Sequence, residues 1–290
     1  MKMSNLFCFG LGYTSLNLAK SLNTYFWSVF GTSRSAVKAK EFKKLGIQVC
    51  NFKDVNKFAN GNFLSNATHV LISTPPTENG DPVLRFYMET LRSLNKLEWV
   101  GYLSSTSVYG DTGDRNASEN FKTKPTTPHG RRRAKAEKDW LRLWAEFDVP
   151  VHVFRLAAIY GPGRSVIDRL KKGSAQNIIK PDHYFSRIHI DDIVSSLNAS
   201  MSVPNAGQIY NLCDDEPAMS SDVVCFAAKL MGIKPPPEIL FKNAQMSKMH
   251  RSFYSENRSI SNSKLKNDLN VKLSYPNYRL GLSKIFNSVE

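Results

Sequence analysis

The stretch NLFCFGLGYTSLNLAKSL, residues 5–22, decides the fold of this chain. Its first letters form a short apolar run that predicts a buried strand, and its second half has the periodicity of a helix. Gly10 and Gly12 lie between the two, where one glycine permits a tight turn and the other lets backbone N–H groups approach a pyrophosphate. The third small position is Ser15 instead of glycine. The stretch predicts a dinucleotide-binding loop, with an ordinary strand-to-helix turn as the alternative.

The same alternation of apolar runs and amphipathic stretches continues through the first half of the chain. Further strands are predicted at 27–33, 47–52, 68–74, 98–105 and 151–160, and helices at 35–46, within 82–96 and within 131–147. This order predicts an α/β fold, a Rossmann-type doubly wound parallel sheet with helices on both faces.

After Gly163 the pattern is less regular. It predicts a turn into a helix at 187–201, a strand at 208–214, a helix at 218–232 and short elements beyond them. We therefore expect residues 1–163, with a return segment at about 187–213, to form an NAD(P)-binding Rossmann domain. Residues 164–186 and 214–290 are expected to form a small C-terminal α+β substrate lobe.

The composition of the chain limits the kinds of partner that it is expected to bind. The net charge of +14 is spread along the chain, and no nucleic-acid-binding signature accompanies it, which argues against nucleic acid as the partner. No apolar run is long enough for a membrane span or a signal peptide, so we expect a cytoplasmic protein with no membrane partner. The four cysteines have no metal-ligand spacing and predict reduced thiols and no metal site: Cys8, Cys50, Cys213 and Cys225.

The residues that follow the second predicted strand bear on the choice of cofactor. An acidic residue there would hold the ribose hydroxyls of NAD, but the chain reads GTSRS at 31–35. Thr32, Ser33 and Arg34 offer hydroxyls and a guanidinium, which suit a 2′-phosphate and favour NADP(H) over NAD(H). Alternatively, the arginine only opens the following helix. Asp54, after the third strand, either reaches the adenine amino group or starts a turn.

Five strings along the chain resemble one known family. FGLGYTSLNLAKSL, YLSSTSVYGD, FRLAAIYGPGRS, RIHIDDIV and IYNLCDDEPA occur in the order found in the extended short-chain dehydrogenase/reductase superfamily, over about residues 5–282. They are most similar to its atypical branch of NAD(P)-dependent epimerase/dehydratase-like proteins. The resemblance implies a hydride-transfer step on a sugar nucleotide or a similar phosphorylated metabolite. It also implies a homodimer, since extended members often pair through helices.

The resemblance assigns cofactor contacts to positions that match the family pattern. The expected cofactor-binding residues are Gly10, Gly12, Tyr13, Thr14, Ser33, Arg34, Asp54, Ser73, Thr74 and Arg133. Ser73 and Thr74 begin STPP after the fourth strand, where the family's backbone lines the cofactor ribose. The two prolines are also consistent with simple loop punctuation.

The family's catalytic pattern is altered in this chain. Aligning VYG places Ser105 as the residue that orients the reacting oxygen, with Thr106 beside it. The Y-x-x-x-K pattern then falls on HGRRR, so that His129 replaces the acid/base tyrosine and Arg133 replaces the lysine. A histidine can exchange protons near neutral pH, although an adjacent arginine lowers its pKa. A structural or substrate-binding histidine is the alternative. Two hypotheses follow: an epimerase/dehydratase-type enzyme, or an NADP-binding sensor or scaffold without Tyr–Lys catalysis.

The basic run TPHGRRRAKAEKDW, residues 127–140, has three interpretations: a nucleic-acid patch, a solvated helix, or a modified active-site helix. The resemblance favours the third. It further implies that Thr106, Tyr160 and Arg164 contact substrate, with the arginine binding a diphosphate. For the acidic pair in RIHIDDI, Asp191 or Asp192, we expect a helix cap.

Overall fold

The structure is a computed structural model that describes residues 3–55, 63–113 and 115–288. The strands, in chain order, are β1 (Ser4–Phe9), β2 (Trp27–Thr32), β3 (Gln48–Cys50), β4 (His69–Ile72), β5 (Trp99–Ser105), β6 (Asn116–Ala117), β7 (Val151–Leu156), β8 (Ala158–Tyr160), β9 (Asn177–Ile179), β10 (Arg187–His189), β11 (Ile209–Leu212), β12 (Glu238–Leu240) and β13 (Ser259–Ile260). The α-helices are α1 (Tyr13–Ser21), α2 (Ala36–Lys44), α3 (Pro82–Arg92), α4 (Pro128–Phe147), α5 (Val166–Lys171), α6 (Ile190–Ser202), α7 (Ser220–Leu230), α8 (Lys248–Phe253), α9 (Ser263–Leu269) and α10 (Tyr278–Asn287).

A seven-stranded sheet in the order β11-β7-β5-β4-β1-β2-β3 forms the centre of the fold. β1 pairs in parallel with β2 on one side and with β4 on the other. The strands that follow are therefore added on opposite sides of β1, and the strand order reverses there. In open α/β sheets, ligands bind beyond the carboxyl ends of the strands at such a switch point. The predicted Rossmann-type doubly wound α/β fold is confirmed.

Local sequence signals explain where the helices begin and how they pack. Asp81 caps α3, because its Oδ1 accepts from the N–H groups of Val83 at 2.8 Å and Leu84 at 3.2 Å. Pro82 occupies the first helical position, where no intrahelical N–H bond is lost. The apolar faces of the strands and helices meet in a core that includes Phe7 and Trp140.

The chain forms two compact units. Unit 1 consists of Met1–Ser104, Arg132–Arg155 and Val194–Tyr210, and unit 2 of Ser105–Arg131, Leu156–Ile193 and Asn211–Glu290. Residues 1, 2, 56–62, 114, 289 and 290, which the predicted domains include, lie outside the described residues.

Compared with the predicted cofactor domain, 1–163 and about 187–213, unit 2 includes residues 105–131, 156–163, 187–193 and 211–213, and the domain bounds stay a prediction. The longest of these segments is 105–131. The sequence prediction put this segment in the cofactor domain, whereas it belongs to unit 2. Pairing with the C-terminal part of the chain explains the difference, because β6 within the segment pairs in parallel with β13.

The run VHVFRLAAIY, predicted as one strand, forms two. β7 belongs to the central sheet, whereas β8 pairs with β10 in a separate two-stranded sheet of unit 2. Ala157 separates them, and its N–H donates to the carbonyl of Leu212 at 3.0 Å. β7 is buried throughout, whereas in β8 only Tyr160 is buried, and no glycine or proline separates the two strands, so the sequence pattern does not reveal the break.

His152 is a fully buried hydrogen-bonding residue of β7. Its Nδ1 lies 3.0 Å from the carbonyl oxygen of Pro150, and its Nε2 lies 2.9 Å from the N–H of Asn205. The second contact requires an unprotonated Nε2, because a backbone N–H can only donate. Burial lowers the pKa of His152 to about 4.

We predict that His152 makes unit 1 sensitive to acid. Its folded pKa lies below the unfolded value of about 6.5, so stability present at neutral pH is lost as the pH falls from about 6.5 towards 4. His152→Gln keeps an acceptor that does not titrate. The loss of unfolding free energy between pH 7 and pH 4.5 should therefore be about 2 kcal/mol smaller in this variant than in the wild-type chain. Urea unfolding at pH 7 and pH 4.5 measures this, and equal pH dependence in the two proteins would refute it.

Candidate functional site

The loop between β1 and α1 is held by contacts at the ends of β2 and β4. Gly10 has a φ of +93°, in the left-handed region that favours glycine, and its N–H donates to Thr32 Oγ1 at 2.8 Å. A Cβ on Gly10 would lie 3.2 Å from Thr74 Cγ2, and one on Gly12 would lie 3.8 Å from Ser73 Oγ. The loop and the two residues after β4, predicted separately, therefore lie together.

The first turn of α1 follows the glycine loop directly, and its small residues are buried. Gly12 is the N-cap, and within the described residues no side chain caps this helix end. Thr14 is buried in the first turn after Tyr13. Ser15 is fully buried, and its hydroxyl donates to the carbonyl of Gly10 at 2.9 Å, so a serine serves in place of the third glycine.

These features fit a dinucleotide. An added Cβ on Gly10 would be in tight contact with Thr74, so glycine leaves the backbone of the loop open there, and a helix N-terminus attracts phosphate. Thr74 Oγ1 is a buried hydroxyl oxygen with no hydrogen-bond partner among the described residues, which leaves it available to a ribose hydroxyl. Gly10, Gly12, Ser73 and Thr74 could hold the pyrophosphate and a ribose.

The residues after β2 and β3 divide into structural and exposed groups. Thr32 is buried, and its hydroxyl accepts from the N–H of Gly10 and so holds the glycine loop; a contact with a 2′-phosphate stays a prediction. The Ser33 hydroxyl accepts from the N–H of Ser35 at 3.2 Å and donates to the carbonyl of Ser35 at 3.3 Å. Arg34, between these two residues, is exposed. Asp54 lies half-buried in a turn. Burial, with a smaller contribution from the charge of Asp54, raises the pKa of the Cys50 thiol to about 11.

Arg133 of α4 is anchored inside unit 1. Its Nη1 donates to the carbonyl of Leu103 at 2.5 Å and lies 3.3 Å from Tyr102 Oη. Asp81 is close enough for the guanidinium to oppose the rise that burial causes in the pKa of this carboxyl. The arginine therefore lies against the end of β5, the strand that leads to Ser105.

A buried ion pair attaches α4 to the sheet. Arg155 of β7 donates to both carboxylate oxygens of Glu137, the shortest bond being 2.7 Å, and the two side chains are 5% and 4% exposed. The Ser104 hydroxyl donates to the same carboxylate at 2.5 Å. The sequence analysis missed Glu137, although its place three residues before the buried Trp140 puts it on the apolar face of the helix.

In unit 2 the predicted oxygen-orienting residue begins a short turn. Ser105 Oγ accepts from the N–H of Ser107 at 3.2 Å and caps the 3₁₀ turn Thr106–Val108. Thr106 is buried. Tyr109, just after the turn, donates through its hydroxyl to Asn211 Oδ1 at 2.7 Å, which fixes the end of this segment.

His129 is an exposed residue at the start of α4. The next residue, Gly130, packs directly on the turn, because a Cβ there would lie 2.5 Å from the carbonyl oxygen of Ser107. Glycine at this position thus brings the helix start and the turn together within unit 2. Ser107 Oγ is buried and has no hydrogen-bond partner in the described part of the chain.

The other predicted substrate residues lie in different surroundings. Tyr160 is 8% exposed in the core of unit 2, and its hydroxyl lies 3.5 Å from the carbonyl of Asn277. Arg164 is exposed in the loop before α5. Their substrate contacts, like those of Thr106, stay predictions.

The acidic pair in RIHIDDI corrects the expected helix cap. Asp192 is fully buried within α6, and its carboxylate accepts from the N–H groups of Ser274 at 2.7 Å and Tyr275 at 3.1 Å. It therefore joins distant parts of unit 2.

The described residues contain neither a candidate metal cluster nor a candidate membrane span. No group of three or more His, Cys, Asp or Glu side chains there could hold a metal ion. Among those residues, no helix is both long and apolar enough to cross a membrane. The predicted homodimer and the cytoplasmic location stay predictions.

The fold and the glycine loop define an α/β protein of the dinucleotide-binding class. The model of the NAD dependent epimerase/dehydratase family matches residues 12–213. The chain therefore belongs to this family, and the resemblance found in the sequence is confirmed.

Relatives extend the match to nearly the whole chain. Protein YeeZ of Escherichia coli K12 is 28% identical over 287 residues, covering 92% of this chain and 94% of the relative. A solved structure of a functionally unknown conserved protein from Silicibacter pomeroyi DSS is 40% identical, with a TM-score of 0.90 and coverage of 99% and 100%. UDP-glucuronic acid 4-epimerase from Bacillus cereus, in complex with UDP-glucuronic acid and NAD, shares the fold at 17% identity, with a TM-score of 0.76 and coverage of 99% and 100%.

We predict that Gly10→Ala damages the loop more than a glycine substitution of similar backbone strain. Gly46 has a φ of +75° and nothing within 4 Å of its would-be Cβ, so Gly46→Ala should cost about 1 kcal/mol. Gly10→Ala adds the contact with Thr74 and should cost about 2 kcal/mol or more. Urea unfolding compares the variants, and equal costs would show that the contact at Gly10 does not matter.

We predict that Glu137→Gln lowers the unfolding free energy by about 3 kcal/mol, because it leaves the buried Arg155 charge without its counter-ion. Glu146→Gln on the same helix is the matched control. Its partner Arg142 is 72% exposed, and a surface pair contributes about 0.5 kcal/mol or less. Chemical denaturation measures both, and similar losses in the two variants would contradict the role of the buried pair.

Proposed function

We propose that unit 1 binds NADP(H) in preference to NAD(H). The observation that carries this proposal is the exposed Arg34, which follows β2 at a position where a carboxylate would favour NAD. A guanidinium and the hydroxyl of Ser33 suit a 2′-phosphate, because charge-assisted hydrogen bonds to phosphate are strong. The glycine loop, Ser73 and Thr74 would hold the rest of the dinucleotide, with Tyr13 and Thr14 at the helix start and Asp54 at the adenine.

We further infer a hydride-transfer step on a sugar nucleotide or a similar phosphorylated metabolite. Membership of the family and the Bacillus cereus epimerase complex support this substrate class. When bound, the nicotinamide supplies or accepts the hydride. Ser105 would donate a hydrogen bond to the reacting oxygen, and His129 would take up or release the proton of that oxygen. Arg133 would donate to the ribose hydroxyls and keep the backbone anchor at Leu103.

A second candidate is an NADP-binding sensor or scaffold that has lost catalysis. The anchoring of Arg133 favours it, because this side chain donates to Leu103 and Tyr102 within unit 1. Histidine also has a shorter reach than tyrosine. In this candidate the cofactor loop works as proposed, and no turnover accompanies binding.

We predict that Arg34→Ala weakens NADPH binding about tenfold and leaves NADH binding unchanged, because only NADPH carries the 2′-phosphate. Lys38→Ala, also exposed and only four residues away, is the control for loss of a positive charge. Isothermal titration with NADPH, NADP, NADH and NAD gives the dissociation constants. Equal weakening for NADPH and NADH, or no binding of any dinucleotide, would overturn the proposal.

Turnover separates the two candidates. Sugar nucleotides are incubated with the protein and NADP or NADPH, and conversion of the sugar nucleotide is followed by chromatography together with cofactor fluorescence, because an epimerase or dehydratase leaves the cofactor unchanged after each cycle. Turnover that falls at least tenfold in His129→Ala supports the enzyme and the proton-transfer role. Undiminished turnover in this variant removes the role from His129, and tight NADPH binding without any turnover supports the sensor or scaffold.

A further inference from the structure

A pocket lies at the edge of the central sheet where β1 and β4 begin. Its volume is about 390 Å³, within the range of pockets that hold small molecules, and none of its lining residues has a role in the proposed function. Asn5, near the start of β1, lines it, whereas Gly10 follows the other end of this strand. At about 3.3 Å per residue, the two positions are about 16 Å apart. The pocket is therefore separate from the candidate cofactor loop of unit 1.

Asn5 is a polar residue in an apolar row of the sheet. Residues two apart on a strand face the same side, so Asn5 lies in one row with Phe7 and Phe9, which belong to the core. Its Nδ2 donates to the backbone carbonyl of Asn66 at 3.0 Å, and its N–H donates to Thr68 Oγ1 at 2.9 Å. Within the described residues its Oδ1 has no hydrogen-bond partner. A fixed amide at the pocket thus keeps an acceptor for a ligand.

Two stacked phenylalanine rings form the apolar part of the pocket. The ring centroids of Phe30 and Phe63 lie 4.4 Å apart, with an angle of 26° between the ring planes. Both rings line the pocket, are half-buried and pack against the core, which holds them in place. Met3, which is 53% exposed, adds a thioether that makes favourable contacts with aromatic rings. These surfaces suit a flat aromatic ligand.

Lys96 gives the pocket a positive charge. It is exposed and forms no ion pair or hydrogen bond with another described residue. The side-chain amide of Asn66, also at the pocket, has no partner in the same part of the chain and can donate. Glu98 is not among the described lining residues, and its charge acts on His69, whose pKa it raises against the larger effect of burial. An ammonium and an amide donor together favour a carboxylate.

We propose that this pocket binds an aromatic carboxylate, a small molecule with a flat ring system, one acidic group and a ring hydroxyl. The ring would stack on Phe30 and Phe63. Lys96 and Asn66 would hold the carboxylate, and Asn5 Oδ1 would accept from the hydroxyl. The inference goes beyond the proposed function, because it involves neither the dinucleotide nor the phosphorylated substrate.

The test uses the full chain with ¹³C-labelled methionine methyl groups. 6-Hydroxy-2-naphthoate is the probe, and the two comparison compounds are 6-hydroxy-2-naphthamide, which lacks the charge, and cyclohexanecarboxylate, which lacks the aromatic ring. Met3→Leu identifies the signal of Met3, which an aromatic ring bound beside it shifts. We expect this signal to shift saturably with the naphthoate, and both comparison compounds to bind about tenfold more weakly.

Variants of the lining residues test the same contacts from the side of the protein. Lys96→Gln should weaken binding of the naphthoate about tenfold, and Phe63→Leu about fivefold. The matched controls are Lys44→Gln and Phe86→Leu, which change exposed residues of the same unit outside the pocket and should leave the affinity unchanged. Should Phe63→Leu fail to fold, the Lys96→Gln comparison still decides.

Three results would remove the proposal. A Met3 signal that does not move, or that moves without saturating, overturns the site, and so does equal affinity of Lys96→Gln and the wild-type chain for the naphthoate. Equal affinity for the naphthamide overturns the assignment to a carboxylate. Failure of NADPH to bind the wild-type chain is a separate result and bears only on the cofactor.

Discussion

The absence of a side chain at Gly10 is the constraint on which the candidate cofactor site depends. Three strand ends meet there, because the backbone of Gly10 bonds to Thr32 at the end of β2 and lies against Thr74 after β4. A parallel sheet gathers these ends at one edge, and the reversal of strand order opens that edge to a ligand. The same glycine thus serves both the packing of unit 1 and the approach of a phosphate to its backbone.

Charges inside the fold explain how α4, the helix that carries the basic run, is attached to the central sheet. Glu137, in the middle of α4, pairs with Arg155 of the sheet, and Arg133 donates to the β5 backbone. Farther along, Lys135 pairs with Asp139 at 2.6 Å. Burying an ion pair costs much of what its attraction provides, so the pair determines geometry more than it adds stability. The helix that carries the altered catalytic pattern is therefore held in one position by bonds that need no ligand.

The sequence was sufficient for features that depend on local patterns. Glycine placement and apolar periodicity predicted the loop, the strand and helix order, and the doubly wound sheet, because each signal lies within a few neighbouring residues. Glu137 and Arg155 are 18 residues apart, and nothing in either local pattern reveals that they pair. Asp192 looked like a cap for the same reason, since its partners lie more than 80 residues away.

The side chain of Asn257 holds the backbone on both sides of His183, and it can do so because the two ends of its amide have opposite hydrogen-bonding character. Its oxygen accepts from Tyr184, and its nitrogen donates to Asp182. Deamidation would replace the nitrogen with a carboxylate oxygen and set two acceptors against each other at Asp182. A chemical change of one atom, of the kind that accumulates as proteins age, would release the backbone around His183 without altering the size of any side chain.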